Sequence, residues 1–69
     1  MTEDYQADVL FHDEGSVIMV EPVTAAGIGW VRVNVPLESW QWIGNRFACE
    51  PRMAENLLNG MVEGGLRVS

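Results

Sequence analysis

The chain has 69 residues, room for one domain whose core is small, because a chain of this size buries only about 60% of the surface it exposes when unfolded. Apolar residues make up 48% with three prolines, which excludes a disordered chain, while ten acids against four arginines and no lysine give a net charge of −6, which disfavours nucleic acid as a direct ligand. No apolar run approaches the ~18 residues of a membrane span, and the single cysteine, Cys49, excludes both an internal disulfide and a cysteine-based zinc site.

The opening Met1-Thr2-Glu3-Asp4 lacks the positive and apolar regions of a signal peptide, so the expected compartment is the cytoplasm. Tyr5, Ala7, Val9 and Phe11 alternate with Gln6, Asp8, Leu10 and His12, a period of two that predicts a half-buried strand with acids on its outer side. His12 to Ser16 is a polar turn, and Val17-Ile18-Met19-Val20 before Glu21-Pro22 suits a second strand; the two read as an antiparallel hairpin. Thr24 can cap a helix from Ala25 that spaces Ile28, Val31 and Val35 by three and four. Trp30 to Val35 also alternates strictly, and Gly27 and Gly29 each disfavour helix by about 1 kcal/mol, so a strand competes over 25–35.

Trp40 and Trp42, the Gly44-Asn45 pair and Arg46-Phe47-Ala48-Cys49 predict two short strands joined by a tight turn, with both indoles on one strand face. Pro51 fits a first helical position, and Met53, Ala54, Leu57, Leu58 and Met61 form an apolar stripe with Leu57 at the centre of its buried face. Gly64-Gly65 ends this helix, and Leu66 to Val68 offer a last edge strand. The expected fold is α+β: a small antiparallel sheet of three to five short strands with two helices packed on one face.

The acids Glu3, Asp4, Asp8, Asp13, Glu14 and Glu21 all fall in the first 21 residues, which hold no Lys or Arg. From Pro22 onward four glutamates are matched by Arg32, Arg46, Arg52 and Arg67, so one third of the chain carries the whole net charge. Such a field favours a basic protein surface; its simplest alternative role is solubility.

Catalytic chemistry is thinly supplied. His12-Asp13-Glu14 is the one grouping with metal-ligand residue types, but three consecutive residues cannot all face one ion. Cys49 needs a base such as His12 nearby to act as a nucleophile, and its neighbours Phe47 and Ala48 suggest a core position instead. With one His, one Cys and no Lys, neither an enzyme nor a cofactor is expected.

The segments Val17 to Thr24, Trp30, Asn34-Val35-Pro36, Trp42-Ile43-Gly44, Cys49-Glu50-Pro51-Arg52, Gly60-Met61 and Gly64-Gly65-Leu66 resemble short, uncharacterised bacterial and prophage-encoded proteins. In these an apolar strand ends in Pro-Leu-Thr, a Trp-bearing helix and a Trp-Gly turn follow, and Val-Glu-Pro-Arg-Tyr opens a final helix. Here Val23 replaces the Leu, Cys49 the Val and Met53 the Tyr, so no role of that Tyr carries over. The resemblance spans about residues 9–68 and implies an α+β fold and a phage or mobile-element setting, where small acidic proteins such as anti-CRISPR proteins block host machinery. The function expected is inhibition of a host protein with a basic, nucleic-acid-binding surface, such as a CRISPR effector or nuclease, by nucleic-acid mimicry through Glu3, Asp4, Asp8, Asp13, Glu14 and Glu21. The alternative is an assembly component of a phage or mobile element that acts as a homo-oligomer through Trp and Met contacts.

Overall fold

The alternation after Ala7 does form a strand. In the computed structural model, which describes residues 6–38 and 41–69, β1 (Val9–Asp13) pairs antiparallel with β2 (Ile18–Pro22), Leu10 opposite Glu21 and Phe11 opposite Val20. The turn is closed by Asp13, whose Oδ1 accepts from Gly15 N at 2.9 Å, and by Glu14 N donating to Val17 O at 3.0 Å. Two further strands, β3 (Trp42–Ile43) and β4 (Arg46–Cys49), flank the Gly44-Asn45 turn. β4 lies against β2, Val20 opposite Phe47 and Ile18 opposite Cys49, giving the antiparallel order β1-β2-β4-β3.

Strand alternation then sorts the side chains. Val9, Phe11, Ile18, Val20, Phe47 and Cys49 share one face, and they pack with Val31, Ala54 and Met61 of the helices into the core. Trp42 belongs to this face and meets Phe47 edge-on, ring centroids 5.2 Å apart. Trp40 lies outside the described residues. The opposite face carries Leu10, His12, Met19, Glu21, Ile43, Arg46 and Ala48, and none of these is fully buried.

Helix wins over strand at α1 (Ala25–Asn34) because its first turn is held from both sides. Thr24 is extended at φ −106°, ψ 166°, and its hydroxyl accepts from Gly27 N at 3.1 Å, satisfying one of the orphan amides of a helix start. Val31 is buried, and the half-buried Trp30 rests on the second helix. A Cβ on Gly60 would come within 3.1 Å of the Trp30 ring, and one on Gly64 within 2.9 Å of its Nε1. The two helices therefore meet where glycines make room for the indole.

The second helix, α2 (Pro51–Glu63), starts at proline as expected. Its buried stripe is narrower than the sequence predicts: Ala54 and Met61 are buried, Leu57 is half-buried, and Met53 is 52% exposed. Leu57 is thus at the margin of the stripe, not its centre. Leu57→Ala should cost about 1–2 kcal/mol in a denaturant titration, below the 2–5 kcal/mol of a fully buried aliphatic. A larger loss would mean a deeper position for this side chain.

α2 ends where Gly65, at φ 88°, takes the left-handed conformation that side chains avoid. Leu66 N donates to Met61 O and Gly65 N to Val62 O, both at 3.0 Å, a double closure of the helix end. The chain then returns to the free edge of β1. Val68 forms a parallel bridge with Val9 there, supported by Phe11 N to Ser69 O at 2.8 Å and Ser69 N to Val9 O at 3.0 Å.

Candidate binding surfaces

The six acids expected to face a partner do different things. Glu3 and Asp4 lie outside the described residues. Asp8 precedes β1 and is a structural hub: its Oδ1 accepts from the Thr24 hydroxyl at 2.6 Å and its Oδ2 from Arg67 N at 2.8 Å. Its carbonyl accepts from Val23 N at 2.9 Å, and its own amide donates to Arg67 O at 2.7 Å. One residue thereby ties together the first strand, the start of α1 and the C-terminal segment.

The Arg67 amide and then the Thr24 hydroxyl, with a smaller pull from the Arg67 charge, hold the Asp8 carboxyl below its ordinary 3.8 against partial desolvation. A carboxyl whose folded pKa lies below its unfolded one contributes stability above the unfolded value and loses it as pH falls through the folded value. The melting temperature should therefore fall as pH drops below the ordinary 3.8 of Asp8. Asp8→Asn should lower the neutral-pH melting temperature and shrink that acid fall; a variant that melts like the parent at every pH would remove Asp8 from the hub.

Glu21 is also engaged within the chain. On the helix-free face of the sheet its Oε1 meets His12 Nε2 at 2.9 Å and Arg46 Nη2 at 3.6 Å, and its Oε2 accepts from Asn45 Nδ2 at 2.9 Å. The His12 hydrogen bond, opposed by desolvation and aided by Asn45 and the Arg46 and His12 charges, keeps its carboxyl below 4.5.

Asp13 and Glu14 remain, both exposed at the tip of the first hairpin. Because Asp13 pairs with Ile18 and Ile18 with Cys49, the strand ends put Glu50 at the same end of the sheet. Glu50 is exposed and 3.9 Å from the equally exposed Arg52, a solvated pair worth little. Its part in this acidic end was hidden in the sequence, since it depends on β4 lying beside β2.

The reactive side chains are kept apart. His12 belongs to the helix-free face and Cys49 to the helix-covered one, since Cys49 shares a rung with Ile18, so the two cannot form a nucleophile and base. Burial, and then the charge of Glu50, push the Cys49 thiol up from 9.0, which keeps it protonated. Among the described residues no three His, Cys, Asp or Glu side chains are grouped to hold a metal ion. No helix there is long and apolar enough to cross a membrane.

A half-open groove of about 470 Å³ runs between α1 and the β3–β4 turn, with Ile28, Leu37 and Trp42 along it and Arg32 and Asn45 among its polar groups. Its chemistry is the reverse of the hairpin tip, apolar with one cation. Comparison of the chain with protein-family models, with curated proteins and with solved structures gives no match.

Proposed function

We propose that this protein works in the host cytoplasm by binding a basic, nucleic-acid-binding surface of a host protein and blocking it, as an inhibitor from a phage or mobile element would. One observation carries the proposal: the net charge of −6 arises wholly within the first 21 residues. The acids Asp13 and Glu14 stand exposed at a hairpin tip within that stretch. A cationic groove on a nuclease or CRISPR effector is the complementary surface, and long-range attraction speeds the encounter. The resemblance to prophage-encoded proteins supports the setting.

In this reading Asp13 and Glu14 make the contact, with Glu3 and Asp4 as further acids, while Asp8 anchors the hairpin to α1 and the C-terminal segment and Glu21 braces it through His12. Immobilised protein exposed to host lysate should retain a partner at low salt and release it both at high salt and on addition of duplex DNA or RNA that competes for the groove. Retention indifferent to salt and to nucleic acid would overturn the proposal. The purified protein itself should give no gel shift with duplex DNA or single-stranded RNA at physiological salt, because its four arginines cannot offset the acidic third.

A further inference from the structure

Arg32 is set apart from the other cations. Arg46 reaches Glu21, Arg52 reaches Glu50, and the charge of Arg67 acts on Asp8. Among the described residues no acid lies within ion-pair distance of Arg32. Its place in the last turn of α1 suits the helix dipole, which explains a cation there but not the hollows that it lines.

Those hollows are two and they adjoin. One is the groove of about 470 Å³ with Ile28 and Asn45, the other a recess of about 190 Å³ that runs in to Val31 and Val35. Arg32, Leu37 and Trp42 line both, so the two form one cleft whose floor is Val31, 1% exposed. No carboxylate lines either hollow. Asn45 already donates to Glu21 at 2.9 Å, which leaves Arg32 as the cleft's one charged side chain among the described residues.

We propose that this cleft binds a small apolar monocarboxylate, its carboxylate on Arg32 and its hydrocarbon against Ile28, Leu37 and Trp42. The volume falls within the ~300–1,000 Å³ of small-molecule sites. The planar fork of an arginine matches a carboxylate through two parallel hydrogen bonds. One cation on a molecule of net charge −6 offsets one negative charge, so a polyanion such as a nucleotide meets repulsion that a monoanion escapes. A recess that ends on a buried valine takes a ring or the end of an alkyl chain rather than the middle of a polypeptide. The site is also separate from the acidic tip: Pro22, in the groove, pairs with Val9 at the opposite end of the hairpin from Asp13 and Ile18.

A ligand of about ten non-hydrogen atoms should bind such an open cleft with a dissociation constant of roughly 10⁻⁴ to 10⁻³ M. Cinnamate and octanoate, each titrated to about 10 mM into isotope-labelled protein, should give saturable nuclear magnetic resonance shifts at Ile28, Arg32, Leu37 and the Trp42 indole N–H. Arg32→Gln should weaken both acids about fivefold. Cinnamamide, the neutral analogue, should bind the parent and Arg32→Gln alike. Arg52→Gln changes the net charge by the same amount from an exposed place on α2 and should leave binding intact, as should Asp13→Asn with Glu14→Gln. A role of Arg32 at the helix end alone predicts instead a slightly lower melting temperature and unchanged binding. No saturable shift with either acid, shifts that map elsewhere, an amide bound as tightly as the acid, or equal losses from Arg32→Gln and Arg52→Gln would each overturn the proposal. So would a blocked apolar peptide with one glutamate that saturates these residues where both small acids fail, because the cleft would then belong to a protein segment.

Discussion

Gly27→Ala is expected to destabilise the protein by about 2–4 kcal/mol, although alanine is the better helix former by about 1 kcal/mol. A Cβ at Gly27 would be driven onto the carbonyl oxygen of Asp8, and would also come within 3.1 Å of Val9 Cγ2. That carbonyl is not free to retreat. It accepts from Val23 N at 2.9 Å, and its residue holds Thr24 and Arg67 through the carboxylate. Relief therefore means moving α1 off the sheet, at the cost of overpacking, about 1–3 kcal/mol, and of hydrogen bonds worth about 1 kcal/mol each. Against a total stability of roughly 0.05–0.15 kcal/mol per residue, a loss of this size leaves much of the protein unfolded at 37 °C. Gly29 is the control, since nothing lies within 4 Å of a Cβ there, and Gly29→Ala should raise stability by about 0.5–1 kcal/mol. Equal melting temperatures for the two variants would remove the close approach of α1 to Asp8.

Gly27 also marks the limit of what the sequence discloses. Thr24, Val31 and the spacing around them announce a helix, and the two glycines argue against it. Only the packing explains one of them, as the point where helix backbone meets strand. The hairpin, the Gly44-Asn45 turn and the proline start of α2 are equally legible because each is decided by neighbours in the chain. The place of β4 beside β2 is not, being set by which apolar face needs cover. Asp8 illustrates the same point for the binding surface. In the sequence it is one of six similar acids, and nothing local separates it from Glu14. Its partner amide belongs to Arg67, 59 residues away, and Glu21 reaches Asn45 across 24. An acid tied to a distant amide and an acid open to solvent have the same signature until the chain is folded.

The distinction sharpens the test of function. Asp13→Asn together with Glu14→Gln removes two charges from the tip and should leave the fold intact. The asparagine amide keeps an oxygen where Asp13 Oδ1 accepts from Gly15 N, and Glu14 binds the turn through its backbone alone. If the tip enters a cationic groove, the variant should keep its circular dichroism spectrum and melting temperature. It should associate more slowly with the captured partner, depend less on salt, and bind at least about tenfold more weakly, or 1.4 kcal/mol. Glu14→Lys in place of Glu14→Gln adds repulsion and should bring the loss to about a hundredfold, near 2.7 kcal/mol. Neutralising Asp8 or Glu21 instead would confuse the two effects, because both carboxylates hold the fold together. A folded double variant that binds its partner like the parent would sink the acidic-tip interface. The partner would then have to engage the groove of Trp42 and Arg32, whose apolar walls and lone cation make the opposite demand: an acidic, apolar segment whose binding Arg32→Gln, and not the tip, would weaken.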